Sequence, residues 1–415
     1  MTVRKKRILI MTADAGFGHR SAAIALQEAL NIRYGNEAEV TLINPLDDKR
    51  APLFLRESQA DYDKWVRKAP EIYKLGYDAS DKAVPSTILE SGLAVIMFEL
   101  MRDLLRKHRP DVVVSTYPLY QHAITGVLTT FKAKIPLITV VTDLATVHRL
   151  WFNDRANAIL VPNEIVRDLA IENGVAPEKI VITGIPVHPQ ISMTDRSRRT
   201  IRAELGWNEN LFTVLAVGSK RVEGLMEGLN VINHFGRPLQ LAVVAGKDEE
   251  MFADLKTTDW HIPAHLYDFV TNMPELMHAA DLILCKAGGL IVTESLACGL
   301  PMVLVNVIPG QETGNMEFVV QNGAGIWADD PMKVLEALAH YTANDQEQLK
   351  QAAANAKKLG KPQAAFDAAD IIWQAAQEMT TEPDLSFRSN IINLLTLNQI
   401  PWIEDEPLTS EEPEE

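Results

Sequence analysis

Leu282-Ile283-Leu284-Cys285-Lys286-Ala287-Gly288-Gly289-Leu290-Ile291-Val292-Thr293-Glu294 decides the architecture of this chain. The apolar run that opens at Ala280 reads as a buried strand, two glycines make a turn, and residues 291–298 have helical character. In such a strand-turn-helix unit the glycines let a ligand approach the backbone, and the free N–H groups of the first helical turn favour an anion. Glu294 lies inside that turn or just past it. A carboxylate is out of place beside phosphate alone, but fits hydroxyls that donate to it. A nucleotide-linked sugar presents both. Farther on, Pro309-Gly310-Gln311-Glu312 and Asn315 put more polar groups on the next strand-to-helix loop, where a helix starting at Asn315 points a second positive end at the same place.

Working outward, the same alternation recurs on both sides. Apolar runs at 212–217, 239–244 and 302–305 predict further strands of this unit, with helices near 224–234, 248–256, 274–279 and 315–321. Upstream, strands are expected at 7–12, 40–43, 111–115, 137–141, 158–161 and 180–182, with a helix from about His19 to Gly35. Ligands of such sheets sit beyond the strand C-termini, so the expectation is an α/β chain of two Rossmann-like domains facing across a cleft. The expected division is 1–187, a polar linker at 188–210, 211–361, a closing amphipathic helix at 362–380 and an acidic tail at 381–415. Residues 50–100 break the rhythm and read as an insertion.

Composition narrows the function. A chain of 415 residues exceeds one comfortable core. The net charge of −15 argues against a nucleic-acid binder. Residues 382–415 carry nine acids against one base, Arg388. Cys285 and Cys298 are the only cysteines, so no disulfide framework is called for and a reducing cytoplasm fits. No apolar stretch is long enough to span a bilayer. Neither metal-ligand spacing nor a GxSxG or Walker sequence appears, and no metal or other cofactor is expected.

In the first half, Gly16-Phe17-Gly18-His19-Arg20-Ser21 satisfies GxGxxG only in part, and Asn44 stands where a dinucleotide fingerprint wants an acid. A dehydrogenase is therefore the weakest reading. His19 sits at the mouth of a helix, whose positive end disfavours the imidazolium; a neutral imidazole there is a competent general base, and a capping or packing histidine is the plainer reading. Asp143 follows a buried strand and so shares that rim, as a second base candidate or a simple turn former, with His148 and Trp151 in the next loop.

These residues together resemble the glycosyltransferases related to monogalactosyldiacylglycerol synthase and the bacterial processive diacylglycerol glucosyltransferases, within the wider group of the peptidoglycan N-acetylglucosaminyltransferase. The resemblance rests on Ala15-Gly16-Phe17-Gly18-His19-Arg20, the Val-Thr-Asp-Leu segment from Val141 ending in Trp151-Phe152, Lys286 to Glu294, Gly299-Leu300-Pro301, the 309–315 run, and Asn322-Gly323-Ala324-Gly325. It covers about residues 7–380.

The resemblance implies a GT-B enzyme that inverts the anomeric centre, with UDP-galactose or UDP-glucose as donor and diacylglycerol or a similar lipid hydroxyl as acceptor. On the donor side it implies Glu294 on the ribose hydroxyls, the amides of Gly288 and Gly289 at the diphosphate, and Gln311, Glu312 and Asn315 at the sugar. His19 would be the base or would position the acceptor, with Asp143 competing. The loop Gly218-Ser219-Lys220-Arg221 replaces a glycine-rich one, so Gly218 and Lys220 are expected near phosphate, and Ile291 replaces a hydroxyl residue. A lipid acceptor further implies a peripheral enzyme on an anionic membrane surface at the cytoplasmic face. Gly16, Gly18, Trp65, Lys68, His148 and Trp151 are the candidates on the acceptor and membrane side. A non-lipid acceptor, a UDP-sugar epimerase and a non-catalytic UDP-sugar-binding protein remain open as alternatives, as does the oligomeric state.

Overall fold

The computed structural model describes residues 4–14, 17–53, 55–56, 92, 94–219, 222, 224–308 and 312–378. Most of the insertion, the acidic tail, Gly16, Trp65, Lys68, Lys220 and Gln311 lie outside the described residues.

The first half runs β1 (Lys6–Met11), α1 (Phe17–Tyr34), β2 (Ala38–Ile43), α2 (Phe98–His108), β3 (Val112–Ser115), α3 (Gln121–Thr130), β4 (Leu137–Val140), β5 (Ala158–Val161), α4 (Glu164–Glu172) and β6 (Ile180–Ile182). The helix α1 forms because Ala22, Ala23, Leu26, Ala29 and Leu30 recur at helical spacing and are buried, Ala23, Leu26, Ala29 and Leu30 against the first sheet and Ala22 in the core of the second half. The second half runs α5 (Gln190–Met193), α6 (Arg198–Glu204), β7 (Phe212–Val217), α7 (Leu225–Asn233), β8 (Leu239–Val244), α8 (Glu249–Thr257), β9 (Ala264–Tyr267), α9 (Met273–Ala279), β10 (Leu282–Lys286), α10 (Gly289–Ala297), β11 (Met302–Asn306), α11 (Thr313–Gln321), β12 (Gly325–Trp327), α12 (Pro331–Thr342), α13 (Glu347–Leu359) and α14 (Ala364–Glu378).

Two six-stranded sheets result, in the orders β2-β1-β3-β4-β5-β6 and β12-β11-β10-β7-β8-β9. Every pairing is parallel. Parallel sheets are covered by helices on both faces, which is why the central strands read as unbroken apolar runs. The strand order reverses between β1 and β3 in one sheet and between β7 and β10 in the other. Those two switch points are where a doubly wound sheet opens a ligand crevice at its carboxyl edge.

Residues 188–210, expected as a linker, are folded onto the second sheet. Arg202 of α6 is buried and donates to the Ala279 carbonyl at 2.7 Å and to Asp281 Oδ2 at 2.6 Å. Trp207, also buried, donates to the Tyr267 hydroxyl at 2.9 Å. The helix α14 returns to the first sheet, where Arg33 pairs with Asp370 and Tyr34 stacks on Trp373 at 4.7 Å between ring centres. The two chain crossings touch at Gly184, whose φ is +91°; a Cβ there would lie 2.6 Å from Lys361 Cβ.

Candidate active site

The carboxyl edges of the two sheets enclose a cleft of about 440 Å³. Its first wall is the N-terminus of α1 with Gly18, His19 and Ser21, and the loop after β4 with Thr142, Asp143 and Thr146. Its second wall holds Gly218 and Ser219 after β7, Lys286 to Gly289 after β10, Glu294 on α10, and Ile308, Glu312 and Asn315 around the start of α11. Gly18, His19, Asp143, Gly218, Gly288, Gly289, Glu294, Glu312 and Asn315 thus converge as one site.

His19 is the third residue of α1 and is held from three sides. Its Nδ1 lies 2.7 Å from Thr142 Oγ1. Tyr117 meets the imidazole edge-on at 5.1 Å, and Trp151 lies tilted against it at 5.8 Å. The Thr116 hydroxyl donates to the His19 carbonyl at 3.2 Å, tying the start of α1 to the end of β3. Burial lowers the imidazole pKa below its ordinary 6.5, partly offset by the Asp143 carboxylate and the Thr116 carbonyl. A neutral ring at physiological pH can take a proton.

Asp143 follows Thr142 and accepts a hydrogen bond from the indole Nε1 of Trp151 at 2.6 Å. Burial raises its pKa, while His19 and the indole donor pull the other way. Of the acceptor and membrane candidates, Trp151 has no exposed surface and His148 is nearly as buried, so neither presents a face to a membrane. His148 caps a 3-10 turn, its Nδ1 accepting from the Leu150 amide at 3.2 Å. That turn delivers the indole to Asp143.

Across the cleft, Lys286 ends β10 and forms an ion pair with the buried Glu312. The other Glu312 oxygen accepts from the Ile308 amide at 3.2 Å. Gly288 is glycine for room: a Cβ there would sit 3.1 Å from Lys286 Nζ and 3.4 Å from Glu312 Oε1. Asn315 donates to the Ala287 carbonyl at 3.0 Å and so braces the glycine turn. Neither α10 nor α11 carries a side-chain cap; Gly289, Leu290 and Ile291 at the start of α10 and Asn315 near the start of α11 line the cleft. Glu294 differs from Glu312. No hydrogen-bond partner holds its carboxylate among the described residues, and burial alone raises its pKa to about 7.

Sequence reasoning passed over Thr142 and Lys286 as site residues although both stand inside quoted motifs. It also missed the contact between the two walls: a Cβ at Gly314 would lie 2.3 Å from Thr146 Oγ1, and one at Gly289 would lie 3.7 Å from the Thr142 carbonyl.

The fold is that of solved GT-B proteins. MurG of Acinetobacter baumannii matches 89% of this chain and 99% of its own, with a TM-score of 0.56 at 17% identity. A UDP-GlcNAc 2-epimerase of Neisseria meningitidis matches 90% and 100%, with a TM-score of 0.54 at 15% identity. Sequence narrows this to a family. Residues 19–187 match the monogalactosyldiacylglycerol synthase family profile, and residues 215–372 match the glycosyltransferase family 28 C-terminal domain. Monogalactosyldiacylglycerol synthase 3 of Arabidopsis thaliana is 30% identical over 393 residues, 92% of this chain and 83% of the relative. The synthase of Spinacia oleracea is 31% identical over 371 residues, 87% and 71%. The chain belongs to the monogalactosyldiacylglycerol synthase family of GT-B glycosyltransferases.

Proposed function

We propose that the enzyme moves galactose from UDP-galactose to the free hydroxyl of diacylglycerol with inversion at the anomeric carbon. The observation that carries this reading is the pairing, across one cleft, of a neutral-prone imidazole with a carboxylate that has no partner among the described residues and two helix N-termini without side-chain caps. His19 Nε2 takes the acceptor's hydroxyl proton as the oxygen attacks the sugar carbon. The bond from that carbon to the diphosphate oxygen breaks, and UDP leaves with the electron pair. Lys286 and the amide ends of α10 and α11 stabilise the charge that develops on the diphosphate. Glu294 accepts hydrogen bonds from the ribose hydroxyls. Glu312 and Asn315 frame the sugar end, with Gln311 beside them in sequence. Galactose is supported by the relatives, which are named for making monogalactosyldiacylglycerol.

A lipid acceptor requires contact with a bilayer without crossing it. Among the described residues no helix is long and apolar enough to cross a membrane. Leu53, Val95 and Ile96, which bracket residues 57–91, are 63%, 77% and 54% exposed, with Arg56 near Leu53 in sequence, whereas Arg50 pairs with Asp48 and Asp103. Apolar side chains near a cation suit an anionic interface, and we assign the enzyme to the cytoplasmic face as a peripheral protein. The test is transfer from radiolabelled UDP-galactose and UDP-glucose, with and without diacylglycerol vesicles. Label should enter lipid from UDP-galactose only when diacylglycerol is present. Donor isomerised without acceptor, or UDP bound without turnover, contradicts the proposal.

A further inference from the structure

A histidine works as a base only through the nitrogen that lacks a proton, and the partner of the other nitrogen decides which one that is. On the usual pattern the partner is a carboxylate. Here the nearest carboxylate, Asp143, is engaged by the Trp151 indole at 2.6 Å, and the atom on His19 Nδ1 is the neutral hydroxyl of Thr142 at 2.7 Å. Resting on the reading of His19 as base, we propose that Thr142 is its positioning residue: Nδ1–H donates to Thr142 Oγ1, which leaves the Nε2 lone pair for the acceptor hydroxyl.

Thr142 is suited to this by what else it touches. It is buried two residues past β4, and its carbonyl lies 3.7 Å from where a Cβ on Gly289, the first residue of α10, would stand. The base is therefore oriented by a residue that neighbours the start of the helix carrying Glu294. The other groups around the ring are the Thr116 carbonyl and Asp143, both of which favour the imidazolium formed after proton transfer, and the uncharged rings of Tyr117 and Trp151. On α1, Arg20 is paired with Asp14. Lys286, Glu294 and Glu312 line the opposite wall, the first and last paired with each other.

The test compares Thr142→Val, which keeps the shape and loses the hydroxyl, with Thr142→Ser. In the valine variant kcat should fall about tenfold or more while the donor KM stays within about twofold. The acidic limb of its pH profile should move to lower pH, because an acceptor that favoured the imidazolium is gone. Serine should restore both. An unchanged kcat, or a limb that moves to higher pH, overturns the proposal; the latter means that the hydroxyl donates to Nδ1. Nitrogen-15 NMR of the His19 ring is independent of turnover. Wild type should show the Nδ1–H tautomer, and an Nε2–H tautomer contradicts the assignment even if transfer is observed. If no UDP-hexose is transferred yet the ring shows Nδ1–H, the functional reading fails and the Thr142 contact stands.

Discussion

Trp151 donates its indole N–H to Asp143 Oδ2 at 2.6 Å while its ring lies 5.8 Å from that of His19. One buried aromatic thus fixes the carboxylate and walls the His19 imidazole. Trp151→Phe keeps the wall and removes the donor, leaving a buried oxygen unpaired at a cost of about 1–3 kcal/mol. The expected outcome is a loss of kcat of about tenfold, with UDP affinity from calorimetry unchanged, because the donor half of the cleft is untouched.

Glu294 trades stability for binding. Its carboxyl titrates at about 7 against an ordinary 4.5, so ionisation is harder in the folded chain. A raised carboxyl pKa means that stability is lost as pH rises from 4.5 through 7, by up to about 3 kcal/mol. Glu294→Gln should therefore melt higher than wild type at pH 8 and match it near pH 4, while binding UDP at least about tenfold more weakly. A variant that melts lower at pH 8 contradicts this account of the site.

Gly314 reports on the contact between the two walls. A methyl there would lie 2.3 Å from Thr146 Oγ1, closer than any real contact. Gly314→Ala should leave UDP affinity intact and lower transfer about tenfold, because the loop bearing Asp143 is pushed off the start of α11. Adding Thr146→Ala removes the colliding oxygen and should restore most of the rate. No rescue in the double variant would mean that the tighter contacts left behind, 3.2 Å to the Thr146 amide nitrogen and 3.3 Å to Ala145 Cβ, carry the defect.

Lys286 and Glu312 are both shielded from solvent, and removing one partner strands the other. Lys286→Met should cost about 3 kcal/mol in denaturant unfolding, and Lys286→Met with Glu312→Leu should cost less than that single change.

Much of the fold was legible because β7, β8, β10 and β11 are central or nearly so and buried on both faces, which makes their sequences unbroken apolar runs. The sequence reading passed over β9 and β12, the two edges of the second sheet. Ala264-His265-Leu266-Tyr267 is only half-buried throughout, and Gly325-Ile326-Trp327 spans three residues, too short for a period. Residues 188–210 looked like linker because their burial is concentrated in a few side chains, Arg202 and Trp207 among them. In the site, the place of His19 between a strand and a helix put it on the cleft rim, where the sequence signals also read as capping or packing, and only the family resemblance singled it out. Thr142 was not legible, since its value lies in a contact between residues 123 apart in sequence. Trp151 was expected on the acceptor and membrane side; its ring packs beside His19 with no exposed surface, which only packing could show.

The most direct test of the account is the anomeric configuration of the product, read by proton NMR on glycolipid made from α-configured UDP-galactose and diacylglycerol. A single displacement, with His19 on the acceptor face and the diphosphate held opposite by Lys286 and the ends of α10 and α11, predicts the β-galactoside. An α-linked product would contradict it.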